Sequence, residues 1–176
     1  MRVSAADRRF VRERAGSVCE YCGVTETEVG AELTIDHYQP PGYGGSDLPD
    51  NLAYACHRCN EHKGDYWPRH PGNLPLWNPR QDVREEHFIL LMDGILLALT
   101  PIGTWTIQRL RLNRAPLVQN RLVRQASVAR DRQLHQYQDA LRLLSELLIQ
   151  TETLATEQAQ LLEEYRRILR VLERDS

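Results

Sequence analysis

Lysine is almost missing from this chain: Lys63 is the only one in 176 residues, and the remaining positive charge is arginine. Net positive charge is missing too. The 22 basic residues stand against 24 acidic ones for a formal charge of −2, which excludes the uniformly basic surface that announces a nucleic-acid binder by composition alone. No run of about 18 apolar residues occurs, so nothing reads as a membrane span. No targeting segment opens the chain, and the expectation is the cytosol of a prokaryote, where thiols stay reduced. There are only four cysteines, and none is left over. All four fall in two C-x-x-C pairs, Cys19/Cys22 and Cys56/Cys59.

Two such pairs brought together from distant parts of a chain supply the four thiolates of a tetrahedral structural zinc. Two disulfides would need an oxidising compartment. A redox site would need one C-x-x-C opening a helix after a strand, and here two equivalent pairs are present. Between the pairs, Leu33-Thr34-Ile35 is a short β-prone run ending in Asp36-His37, and Tyr38 to Gly45 is rich in proline and glycine and can only turn or extend. Asp36 and His37 therefore sit at a strand end and point to opposite faces. Cys56 to Lys63 reads as a short helix stopped by Gly64. Asn60 follows Cys59 directly, so whatever fixes the cysteine also aims the asparagine. The Asp36 carboxylate and the Asn60 amide oxygen suit a hard cation such as Mg²⁺ or Mn²⁺, and His37 beside that ion would be free to take a proton from water. Lys63, three residues after Asn60 and on the same helix face, is the expected phosphate contact together with Arg58.

The string C-x-x-C, D-H, N, C-x-x-C-N-x-x-K resembles the HNH endonuclease superfamily, the ββα-metal nucleases, in its HNN variant with a four-cysteine zinc. The resemblance implies His37 as general base, Asp36 and Asn60 as ligands of the catalytic metal, and Asn51 as the asparagine that ties the two limbs of the motif together and orients the base. It also assigns Cys19, Cys22, Cys56 and Cys59 to the zinc. It covers about a quarter of the chain. One departure is visible: where two-histidine members carry a second metal ligand one turn on, Gly64 stands, so the ion would have two protein ligands and exchange readily. The implied activity is hydrolysis of DNA phosphodiester bonds, with RNA left open. The rival is a zinc module that binds nucleic acid or a partner protein without cutting.

The rest of the chain reads as support. Residues 4 to 15 form an opening helix with Arg8, Arg9, Arg12 and Arg14 on its polar face. Residues 67–112 form a wrap, a β-hairpin with a two-residue type I′ turn at Asp93-Gly94, and a helix capped by Thr100-Pro101. From Arg109 to Arg142 eight arginines stand against two acids, a stripe suited to a nucleic-acid backbone. Leu134, Tyr137, Leu141, Leu144 and Leu148 then make an apolar stripe at helical spacing. After a break at Gln150-Thr151, Leu154, Leu161, Tyr165, Ile168 and Leu172 make another. The expected architecture is α+β: a zinc-stapled ββα-metal nuclease core over 1–66, a hairpin and helix extension over 67–112, and a C-terminal helical pair over 113–176. That pair would serve a homodimer or a partner protein.

Overall fold

The computed structural model describes residues 3–172, with side chains through 170. Helix α1 (Ala5–Arg14) starts at Ser4, whose hydroxyl accepts from the Asp7 amide. It buries Val11 with Leu52, Tyr54 and Val3 in a small core of their own. A single turn, α2 (Glu26–Val29), closes with Gly30 at φ 73°. Strands β1 (Thr34–His37) and β2 (Leu52–Ala55) pair antiparallel in the register Thr34↔Ala55 to His37↔Leu52. Helix α3 (His57–Lys63) follows β2 after one residue, Cys56, whose sulfur caps it from the Cys59 amide. The expected strand, strand and helix order of the first third is thus present.

Helix α4 (Arg84–His87) leads into the hairpin of β3 (Phe88–Leu90) and β4 (Leu96–Ala98), with Leu90 opposite Leu96. The hairpin lies where it was expected, but its turn differs. A type I′ turn needs positive φ at both central residues; here only Gly94 has it, at 78°. Leu91 N–H reaches Ile95 O, Gly94 N–H reaches Leu91 O and the Asp93 carboxylate accepts from the Ile95 amide, which makes a three-residue loop ending in a left-handed glycine. Thr100 caps α5 (Pro101–Leu110) as anticipated.

One core joins the cysteines to the extension. Cys19, Cys22, Cys56 and Cys59 pack in the same buried cluster as Trp77, Phe88, Leu96, Leu110, Leu112 and Leu117. The first compact unit runs through Gln125 and so includes the start of α6 (Ala115–Leu172).

The second unit begins at Ala126. A pair of helices was expected beyond residue 113; the chain instead forms the single 58-residue helix α6. Gln150-Thr151 is no interruption: no glycine occurs in α6 and Pro116 is its only proline, while the Thr151 hydroxyl simply folds back onto Leu148 O. Both apolar stripes are solvent-exposed from Leu134 to Ile168. The side chain of Leu172, last in the expected stripe, lies outside the described residues.

Candidate active site and metal centre

The four cysteine sulfurs lie within 4.8 Å of one another, all buried and none in a disulfide. Cys22 and Cys56 Sγ are 3.7 Å apart. Tetrahedral zinc with bonds of about 2.3 Å spaces its sulfurs about 3.8 Å apart, so the donors fit that ion in both kind and spacing. Four thiolates on one Zn²⁺ would carry two net negative charges, and the cation placed to meet them comes from outside the motif. Arg114 points its guanidinium at Cys59 Sγ (3.8 Å) and Cys56 Sγ (3.9 Å). Burial works against that charge, but the sulfurs more than offset it and hold Arg114 protonated above the ordinary range. Nothing in the local sequence around Arg114 signals this role, because its partners lie 55 and 58 positions earlier.

Strand alternation sends Asp36 inward and His37 outward. Asp36 is buried. Its Oδ1 accepts from Lys63 Nζ at 3.0 Å and its Oδ2 from Tyr21 OH at 2.6 Å. Burial raises the Asp36 pKa, and the nearby Lys63 charge opposes that only in part. Burial, followed by the Asp36 charge, also pushes the Tyr21 phenol well up. Lys63 is 1% exposed and donates as well to His37 O at 2.6 Å. The sequence reading put this lysine on a phosphate; its ammonium lies inside, on the carboxylate, where it binds α3 to the end of β1. Arg58 lies on the outer side of α3, exposed and paired with Glu61 at 3.0 Å.

His37 Nε2 contacts Asp47 Oδ1 at 2.7 Å, with both side chains part-exposed. Asp47 was not singled out from the sequence, because nothing separates it from Asp50 in the same turn. Asn51 is the clamp of this loop. It accepts from Gln39 N (2.9 Å) and donates to Gln39 O (3.0 Å) and Ser46 O (2.8 Å). Gly45 makes the approach possible: a Cβ there would stand 1.8 Å from Gln39 O. Asn60 is half-buried on α3, and its side chain takes no part in the hydrogen bonds that hold Asp36, His37 and Asn51. Asp36 and Asn60 fit a hard divalent ion in donor type, and each Asp36 oxygen, accepting one hydrogen bond, keeps a second lone pair.

His62 is half-buried with its pKa lowered by burial and by Arg111 and Arg114. His87 bonds Thr100 Oγ1 at 2.7 Å in the extension. The expected arginine stripe is largely occupied where it begins. Arg109 donates to Lys63 O, Arg121 to Gly94 O and Leu112 O, and Arg124 pairs with Glu28.

Because Lys63 and Asp36 are both buried, Lys63→Met should destabilise the fold by about 3–5 kcal/mol, the usual cost of leaving one partner of a buried pair alone. With the ammonium gone, the folded-state pKa of Asp36 rises further above its unfolded value, so the deficit grows as pH climbs past the ordinary carboxylate range and shrinks below it. Thermal melts of the variant across pH 4–8 measure this; a deficit that does not vary with pH would contradict it.

The segment that carries this geometry is similar in sequence to known proteins. Residues 19–66 match the family model described as HNH endonuclease. The chain is also 39% identical over 54 residues to a CRISPR-associated endonuclease Cas9 of Corynebacterium diphtheriae; the match covers 30% of this chain and 5% of that protein. No solved structure matches.

Proposed function

We propose that this protein is a metal-dependent endonuclease that hydrolyses phosphodiester bonds in DNA, acting in the cytosol. The observation that carries the reading is the His37–Asp47 pair at the end of β1, held by the Asn51 clamp inside the segment that matches the HNH family. With its Nε2 proton donated to Asp47, the imidazole keeps Nδ1 unprotonated to accept a proton from attacking water. Asp36 and Asn60 would hold Mg²⁺ or Mn²⁺, which when bound supplies positive charge against that developing on the phosphate. Lys63 and Tyr21 orient the Asp36 carboxylate, Asn51 orients the loop that follows the base, and the four cysteines with zinc fix the frame. Arg58, on the outer face of α3, would meet the substrate backbone away from the reacting phosphate.

The exposed stripe of α6 repeats at three- and four-residue steps through Leu134, Tyr137, Leu141, Leu144 and Leu148, the pattern of a coiled-coil seam. It would take a second copy or a partner protein.

Supercoiled plasmid incubated with the purified zinc-loaded protein should be nicked or linearised when Mg²⁺ or Mn²⁺ is added and left intact without it. A rival reading draws on the commitment of the Asp36 carboxylate to Lys63 and Tyr21: a zinc module that binds nucleic acid or protein without cutting. Plasmid left supercoiled under all these conditions would favour the rival.

A further inference from the structure

Next to the proposed site the two limbs of the motif leave an open cleft of about 780 Å³ between the chain that follows β1 and the chain that follows α3. Its walls include Pro40, Tyr43, Asp65, Trp67, Pro68 and Arg69. Pro40 is three residues past His37, a span of at most about 10 Å of chain, and Asp65 is two residues past Lys63. None of these six belongs to the zinc or to the His37, Asn51 and Asn60 set.

The lining has a definite chemistry. Arg69 lies over the Tyr43 ring, 4.6 Å from its centroid. Trp67 meets Tyr38 at 5.8 Å and 87°, a perpendicular contact that uses at most one face of the indole. Tyr38 is itself fixed through its hydroxyl on Leu76 O at 2.5 Å, so the aromatic frame is anchored in the core while Tyr43 and Trp67 stay half-exposed. One cation and one anion, Arg69 and Asp65, cancel. A cleft walled by rings and prolines, with no net charge and an exposed carboxylate, is wrong for a phosphate group. It is right for a flat heterocycle whose amino group a carboxylate can accept.

We infer that this cleft receives an unpaired base of the DNA strand beside the phosphate that is cut, so that the preferred substrate is single-stranded, displaced or branched DNA. The inference rests on the nuclease reading for its placement. A base inside an intact duplex would first have to leave its stack, at a cost of a few kcal/mol, whereas an unpaired base enters freely.

The test is a binding measurement on the full chain, zinc-loaded and with no Mg²⁺ or Mn²⁺ added, so that it does not depend on cleavage. Fluorescence anisotropy is read with a labelled single strand, the same strand in a duplex, and a strand of equal length with abasic positions. Stacking of one base is worth about 1–3 kcal/mol. Single strand should therefore bind roughly ten- to a hundredfold tighter than the abasic strand. Tyr43→Ala and Arg69→Ala, both on the cleft rim, should remove most of that difference while melting at the wild-type temperature, and Trp67→Phe should keep it. Equal affinity for normal and abasic strands, or equal losses on single strand and duplex in the variants, overturns the inference. Plasmid nicking alongside equal affinities would sink the base site alone; a base preference in a protein that never nicks would sink the nuclease reading alone.

Discussion

Stripping zinc, or replacing Cys59 by serine, should unfold the first compact unit altogether. The four sulfurs sit in the middle of the core that also holds Trp77, Phe88 and Leu110, so a zinc ion held by them would bond together the parts that bury one another. Structural zinc contributes on the order of 10 kcal/mol, comparable with the roughly 5–15 kcal/mol that an ordinary domain has in total. The readout is clean because all three tryptophans, 67, 77 and 105, precede Ala126. Tryptophan emission therefore reports the first unit alone, while far-ultraviolet circular dichroism is weighted toward α6. The expected result is a red-shifted, unfolded emission on chelation, recovery on adding back one zinc per chain, and no recovery for Cys59→Ser. A metal-free protein that keeps its native emission and melts cooperatively at the original temperature would show that the cysteines are merely packed.

His37→Ala should leave that same melt unchanged, because the imidazole is part-exposed and its one side-chain partner among the described residues is Asp47, yet lower the cleavage rate by about 10²–10⁴, the range that a positioned general base supplies. Asp47→Asn should fall between wild type and His37→Ala: the asparagine amide still contacts the ring but no longer stabilises the imidazolium. Single-turnover rates on nicked-plasmid product measure both. Cleavage by His37→Ala at a rate close to wild type would remove the histidine from the chemistry. An Asp47→Asn variant as fast as wild type would leave the aspartate as a turn residue and nothing more.

What the chain revealed before folding was mostly what lies close in sequence. The alternation that splits Asp36 from His37 and the short helix after Cys56 could be read from spacing, because backbone geometry sets them within a few residues, whereas a tying role for Asn51 came only from the resemblance. What could not be read depends on which side chains meet across the fold. Tyr21 looks like a spacer between two cysteines and turns out to hold Asp36. Lys63 looks like a surface cation and is buried. Asp47 and Arg114 find their partners only once β1, α3 and the end of α5 have packed. The unbroken α6 teaches a different lesson. The polar pair Gln150-Thr151 interrupts the apolar stripe but not the backbone, which without proline or glycine there has no reason to stop. At the hairpin, Asp-Gly was read as two positive-φ residues where the chain uses one.

The pairing of β1 with β2 is only four residues long, and each of its positions faces a fixed side. Deleting a single residue between Leu33 and Asp36 would turn every later side chain through half a rotation, sending the imidazole toward Tyr21 and the carboxylate toward solvent. Removing two would restore the facing but shorten the ladder by half. Natural length variation in relatives of this protein should therefore concentrate in exposed loops such as Pro71–Asn73, and a variant that gains or loses one residue ahead of the Asp-His pair should be inactive even where its zinc is intact.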